Sequence, residues 1–274
     1  MGTAKRCIFC DRNADSAEHI WPVWMHPLLP VHPGRHDRKL FEFHPSTGKR
    51  ESGPAGRQGD LRTVRIRAVC KNCNETWMSR LETAARPLLS PMALGQQVNL
   101  DTAAQEIVAR WIALKIMVSE HSRGDMSLTT QEDRTLFKDE GLIPSYYRIY
   151  ITSHMTSQST GFYRHSVTLT LSSEGLNPPL RGAVKNVQTI SMMVGKIFVH
   201  HVADRVRDFT FEERVIFPQL YNSARLWPAQ QAEMSWPRRP LLDGDGANFI
   251  ALGLERYLSA SKINWTDEWM QQER

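Results

Sequence analysis

Two Cys-x-x-Cys pairs constrain the fold of this chain more than any other feature. The pairs are Cys7/Cys10 and Cys70/Cys73, and the sequence contains no further cysteine. Two thiolates separated by two residues can bind one Zn²⁺ from a single knuckle, and two such knuckles complete a tetrahedral site. The 59 residues between the pairs exceed the usual spacing of a zinc finger, so an insert separates the knuckles. We therefore predict a structural zinc site without an open coordination position.

Two other uses of the cysteines compete with zinc. Disulfides are rare in cytosolic proteins, and two matched pairs are not typical of a thioredoxin-like redox site. With zinc bound, the two knuckles would hold together a small module that could not build an adequate core alone.

Positive charge is concentrated in the first third of the chain. The 274 residues carry a net charge of +5, and 41% of them are hydrophobic, as in a globular protein. Residues 1–100 contain 15 Lys or Arg against 9 Asp or Glu, whereas residues 101–274 contain 19 against 20. This asymmetry indicates either a polyanionic partner for the first third or a solvated basic loop.

No segment of the sequence is typical of a membrane span. We find no run of about 18 apolar residues, and the first ten residues lack the apolar region of a signal peptide. We expect a cytoplasmic protein with no membrane partner.

The sequence pattern predicts two domains, residues 1–95 and residues 96–274. Residues 31–67 are rich in Pro, Gly, Arg and His and indicate a loop. A short strand with a basic face follows, and then a helix that Pro87 and Pro91 bend or stop. A second helix begins at Thr102 with capping-box spacing to Gln105. Beyond it we predict strands, a hairpin turn near Gly195, and one final helix around residues 249–262, hence an antiparallel α+β domain.

The stretch SAEHIWP (16–22) follows the first knuckle, and Asn74 directly follows the second. The text CIFC…AEHIWPVWM…VCKNCNETWMSRLE resembles the HNH, or ββα-metal, endonucleases, in the branch whose zinc site is made of four cysteines. The resemblance covers roughly residues 5–90. It implies an α+β protein in which a zinc-stapled, treble-clef-like ββα-metal module precedes a larger α+β domain with an antiparallel sheet.

Carried over to this sequence, the resemblance implies three catalytic residues. Glu18 and Asn74 would hold a catalytic divalent cation, Mg²⁺ or Mn²⁺, and His19 would be the general base that activates water. The residue types suit these roles, because a hard cation prefers carboxylate and amide oxygens and a neutral imidazole accepts a proton near pH 7. Alternation along a regular strand would put Glu18 and His19 on opposite faces, and the family avoids this with an irregular turn after the histidine.

This sequence departs from the family in one position. The family has an Asn between the histidine and the helix, which orients the base, but no Asn occurs here between Asn13 and Asn72. The acceptor that orients His19 could instead be His44, Ser46, Gln58 or a backbone carbonyl.

We therefore expect a metal-dependent HNH endonuclease that hydrolyses phosphodiester bonds in DNA, with RNA left open as a substrate. Arg65, Arg67 and Lys71 would contact phosphates, unless they form only a solvated basic strand. By analogy, a nuclease module with this layout suggests a bacterial or phage defence effector with an antiviral role. Residues 96–274 would serve regulation, target choice, homodimerisation or contact with an activating partner. The alternative is a non-catalytic zinc module that binds nucleic acid or protein, with a ligand-sensing C-terminal domain.

Overall fold

A computed structural model describes most of the chain. The described residues are 5–29, 41–44, 49–52, 61–122, 127–155, 160–167, 171–172, 175–176, 186–206, 220 and 223–260. They form a mixed α/β structure whose sheets are antiparallel.

The N-terminal part contains two small antiparallel sheets. Strand β1 (Ser16–His19) pairs with β4 (Arg65–Val69), and β2 (Phe41–His44) pairs with β3 (Lys49–Ser52). Short 3₁₀ turns at Val23–Leu28 and Leu61–Thr63 follow β1 and precede β4. In β4 the side chain of Ile66 is buried and those of Arg65 and Arg67 are exposed, as the sequence alternation predicted.

One continuous helix, α1, follows β4 directly. It consists of Lys71–Cys73, a π-helical turn at Asn74–Met78 and the α-helical segment Ser79–Ala93. Of the predicted bend or stop at Pro87 and Pro91, the stop is wrong, since the helix runs past both prolines to Ala93. The carbonyls that lose a backbone partner to them belong to two exposed residues, Thr83 and Pro87.

The middle of the chain contributes β5 (Val98–Asp101), α2 (Thr102–Glu120) and α3 (Gln131–Glu140). Helix α2 begins where the sequence predicted, but its cap differs. The Asp101 carboxylate accepts a hydrogen bond from the Ala104 backbone N–H at 2.7 Å, and the side chain of Gln105 instead donates to the Leu100 carbonyl at 3.0 Å. Aspartate is a strong N-cap residue and replaces the expected Thr102–Gln105 capping box.

A five-stranded antiparallel sheet dominates the C-terminal part, in the order β12-β6-β11-β10-β7. Its strands are β6 (Tyr147–Ser153), β7 (Thr160–Val167), β10 (Val187–Val194), β11 (Ile197–Asp204) and β12 (Ala224–Trp227). Strands β10 and β11 pair in full register around Gly195–Lys196, which confirms the predicted hairpin. The remaining elements are β8 (Leu171–Ser172), β9 (Gly175–Leu176), β13 (Glu233–Trp236), α4 (Gly244–Ala251) and α5 (Gly253–Ala260). Two short helices therefore stand where one final helix was predicted.

One hydrophobic core runs through both predicted domains. It extends from Cys7 and Phe9, through the buried sides of α1 and α2, to one face of the five-stranded sheet and Trp236. The opposite face of that sheet packs against α4 and α5 around Phe198 and Ile250. Helix α2 thus lies between α1 and the sheet, and the boundary at residue 95 remains a prediction. In the part of the chain that the structure describes, no helix is both long and apolar enough to span a bilayer.

The β10–β11 turn contacts the end of α1 and requires glycine. Gly195 has φ of +57°, and a Cβ added there would lie 2.5 Å from the Ala93 carbonyl oxygen. The same oxygen accepts a hydrogen bond from the Lys196 backbone N–H at 2.8 Å.

We expect Gly195→Ala to lower the free energy of unfolding by about 2 kcal/mol or more, because a left-handed conformation alone costs about 1–2 kcal/mol. Urea unfolding beside Gly244→Ala, whose Cβ would meet nothing within 4 Å, checks this; equal stabilities would contradict it.

Buried histidines make the fold sensitive to acid. Burial lowers the pKa of His200 to about 3, and its Nδ1 lies 2.8 Å from the Ser191 hydroxyl oxygen. The unfolded chain binds a proton at this residue below about pH 6.5 and the folded chain does not, so stability falls with pH from about 6.5 towards 3. Relative to His200→Asn, which keeps a hydrogen-bonding partner for Ser191, the wild type should lose about 2 kcal/mol between pH 7 and pH 5. Urea unfolding of both proteins measures the difference; a constant difference would contradict the neutral buried state.

Candidate functional site

The four cysteines form one cluster, in which two come from the segment before β1 and two from the start of α1. Their Sγ atoms all lie within 4.8 Å of one another, and three of the four residues are buried. Cys10 Sγ lies 3.6 Å from Cys70 Sγ and 3.7 Å from Cys73 Sγ. Four sulfurs at about 2.3 Å from a tetrahedral zinc would be about 3.8 Å apart. The cluster therefore has the spacing to hold zinc, and none of its thiols forms a disulfide.

Backbone geometry around the knuckles supports the cluster. Cys70 caps α1, because its Sγ accepts a hydrogen bond from the Cys73 backbone N–H at 3.4 Å. The Ile8 N–H donates to the Ala68 carbonyl at 2.9 Å and ties the first knuckle to β4. Burial raises the pKa of Cys73, so without a cation this thiol stays protonated. A bound cation would offset the cost of deprotonating this buried thiol, because it stabilises thiolates.

Strand β1 carries Glu18 and His19 on opposite faces. Glu18 pairs with Ile66 of β4 and is buried, whereas His19 pairs with Arg65 and is half-buried. A bulge between Ser16 and Glu18 shifts the register of β1. Despite this irregularity, the alternation expected of a strand is kept at these two residues, and Glu18 faces the interior.

Asn74 approaches the same strand from the helix. Its Nδ2 donates to the Ser16 hydroxyl oxygen at 2.9 Å, and it is the first residue of the π-helical turn. This bond uses the amide nitrogen, and no described donor contacts the amide oxygen, which is the atom that a hard cation prefers. No hydrogen bond between described residues joins the Asn74 side chain to Glu18 or His19, and its bond to the Ser16 hydroxyl links Asn74 to β1.

Lys115 of α2 is the partner of Glu18. Its Nζ lies 2.5 Å from Glu18 Oε1, 2.6 Å from Glu82 Oε1 and 3.1 Å from the His19 carbonyl oxygen. The Lys115 side chain is 0% exposed, and the two glutamate side chains are 8% and 22% exposed. Burial lowers the pKa of Lys115, but the two carboxylates outweigh burial, so the net pKa is raised and the lysine stays charged.

His19 lies among positive charges. Burial, followed by the charges of Arg65, His26 and Lys115, lowers the pKa of His19, with Glu82 acting in the opposite direction. The neutral imidazole, which is the form that can accept a proton, is therefore favoured. The ring of His26 stands edge-on to that of His19, with the two centroids 5.9 Å apart. His26 Nε2 in turn lies 3.0 Å from the Trp21 carbonyl oxygen.

The side chains suggested for orienting His19 lie outside what the structure describes. His44 lies in β2, where only the backbone is described, and Ser46 and Gln58 lie outside the described residues. Among the described residues, no hydrogen bond from the His19 ring is formed. The backbone carbonyl of His19 accepts a hydrogen bond from the Lys115 ammonium group.

The three candidate phosphate-binding residues are all exposed. Arg65 and Arg67 project from one face of β4, and Arg65 stands directly across from His19. Lys71 opens α1, and its Nζ lies 3.7 Å from the carboxylate of Glu75. Its backbone N–H donates to Asp15 Oδ1 at 2.7 Å. A basic edge therefore borders the half-buried face of His19.

The chain matches no family model, no curated protein and no solved structure.

Proposed function

We propose that this protein is a metal-dependent endonuclease in which His19 acts on the water that attacks a phosphodiester bond of DNA. The proposal rests on one observation above all. The Asn74–Ser16 hydrogen bond joins the start of a helix, immediately after a zinc-spaced knuckle, to the strand that carries Glu18 and His19. Two antiparallel strands and a helix are also the elements of the fold that the HNH resemblance implies, although β1 keeps Glu18 and His19 on opposite faces.

His19 has the environment of a general base. Its ring is half-buried, and its lowered pKa favours the neutral form near pH 7. Arg65, directly across the strand pair, would hold a phosphate of the substrate near this ring, and Arg67 would extend that contact along the backbone. The zinc cluster would take no part in the reaction, because four thiolates leave no open position.

Some of the oxygen atoms proposed to bind the catalytic cation already have hydrogen-bonding partners. Asn74 offers its amide oxygen, and Glu18 offers Oε2, since Oε1 is bonded to Lys115. A Mg²⁺ or Mn²⁺ ion held by these two oxygens would supply charge stabilisation at the phosphate and the leaving oxygen. RNA remains an alternative substrate, because hydrolysis by water does not need a 2′-hydroxyl group.

Incubation of the purified protein with supercoiled plasmid tests the proposal. With Mg²⁺ or Mn²⁺ we expect nicked circles, and with EDTA none, provided that the zinc content of the protein is unchanged. A parallel reaction with a single-stranded RNA of similar length decides between the two substrates. Plasmid that stays supercoiled under every metal condition, while the protein shifts DNA in a gel, would contradict cleavage.

A non-cleaving zinc module is the second candidate, and one observation favours it. Glu18 faces the interior and is paired with the buried ammonium group of Lys115, as a structural ion pair would be. In that case the exposed basic edge would bind nucleic acid or an acidic protein without hydrolysis. The plasmid experiment separates the two candidates, since binding without nicking belongs only to this one.

The broader biological assignment stays a proposal of the same kind. A defence role, a homodimer and an activating partner acting through residues 96–274 all follow from the analogy with stand-alone HNH nucleases. Light scattering of the purified chain tests the dimer directly.

A further inference from the structure

We infer that Lys115 is a positioning residue of the proposed nuclease site, and that the chain beyond residue 96 therefore completes this site. The inference rests on the proposed function and adds a role that the resemblance does not supply. It is carried by the three contacts of one buried ammonium group.

A lysine ammonium group has three N–H donors, and in Lys115 each donor contacts a different acceptor. One contacts the Glu18 carboxylate, one the Glu82 carboxylate, and one the His19 carbonyl oxygen. Two of the three acceptors thus belong to the residues proposed as cation ligand and general base. The side chain is fully buried, so water does not compete for these donors.

The contact between Lys115 and Glu82 links β1 to α1, the helix that carries Asn74. Glu82 lies eight residues after Asn74 on α1, and its carboxylate and that of Glu18 both contact the Lys115 ammonium group. Without that charge, two carboxylates would face each other in a largely buried place and would repel. Lys115 therefore sets the spacing between the strand with Glu18 and His19 and the helix with Asn74.

Helix α2 is held rigidly enough to serve as such a support. Residues 111–120 of α2 are all buried. The guanidinium group of Arg164 in β7 donates to the Ser119 carbonyl near its end at 2.9 Å. The end of α1 is also joined to strand β13, because the indole N–H of Trp236 donates to the Met92 carbonyl at 3.0 Å. The geometry of the site is thus built on residues from both predicted domains.

Plasmid nicking by Lys115→Met tests the role, beside the matched control Arg148→Met. The control breaks a second ion pair, Arg148–Asp204, whose side chains are 19% and 8% exposed and whose Nη1 and Oδ2 are 3.0 Å apart. With zinc content and circular dichroism matched, we expect kcat of Lys115→Met to fall about 100-fold with little change in KM for DNA, as for misplaced catalytic groups. The control should keep most of its activity, and equal activities of the two variants would overturn the role of Lys115.

A second pair of variants decides the matter if Lys115→Met does not fold. Glu82→Gln keeps an oxygen that accepts from Lys115, whereas Glu82→Ala removes the link to α1, and both leave the Glu18–Lys115 pair electrically balanced. We expect kcat to fall about 10-fold in Glu82→Ala and to be restored in Glu82→Gln, as for groups that orient a site. Wild-type activity in both would overturn the inference. An inactive wild type would instead remove the proposed function, and this role with it.

Discussion

Removal of the metal from the four-cysteine cluster is expected to unfold the N-terminal part of the protein and to lower the melting temperature of the whole chain. Cys7, Cys70 and Cys73 are part of the same hydrophobic core as α1 and α2. Structural zinc in finger peptides contributes about 10–16 kcal/mol of apparent binding free energy at pH 7, which is also folding free energy. Calorimetry before and after a strong chelator, with zinc measured by mass spectrometry, checks both effects.

Cys73→Ser should reproduce the effect of the chelator without any added reagent. Ala85→Ser is its matched control, because it also places a hydroxyl group at a buried position of α1 but removes no thiolate. We expect the cysteine variant to lose its zinc and to melt at a much lower temperature than the control. Full stability of Cys73→Ser, or a protein that never contains zinc, would contradict a structural zinc site.

His19→Ala is expected to have the largest effect on activity, a loss of about 10²–10⁴ in the rate of DNA cleavage, which is the range for removal of a general base. Its imidazole is the half-buried group that stands across from Arg65 at the basic edge. Single-turnover cleavage of a short labelled duplex measures the chemical step apart from product release.

His26→Ala is the control for this variant, since its ring lies beside that of His19 and is also half-buried. We expect the control to cleave within about 10-fold of the wild type, as a residue outside the chemical step would. Similar losses in the two variants would mean that His19 acts through local structure and not as the base.

The local features of the fold were within reach of the sequence. The spacing of the cysteines predicted the cluster, alternation predicted the exposed side of β4, and Gly195 marked a hairpin turn. Each of these depends on residues that are close in the chain. The expected stop at Pro87 and Pro91 was wrong because it was also read from a local pattern, whereas the helix continues past both prolines to Ala93.

The environment of Glu18 could not be predicted, because it depends on residues 97 and 64 positions away. The sequence does contain a trace of it, since Lys115 is the only charged residue in the apolar run 111–118 of α2. A lysine in such a run must be neutralised when the helix is buried, and that indicates an acidic partner. Nothing local identifies Glu18 and Glu82 as the partners, since their positions follow from the packing of α2 against α1 and β1.

The rate of plasmid nicking by the wild type and by His19→Ala, in protein samples of equal zinc content, tests the central claim most directly. The account predicts nicked or linear plasmid with the wild type in Mg²⁺ or Mn²⁺, and supercoiled plasmid with the variant. Equal nicking by both proteins would contradict the assignment of His19. Nicking by neither, with DNA binding retained, would make the protein a zinc module that binds without cutting.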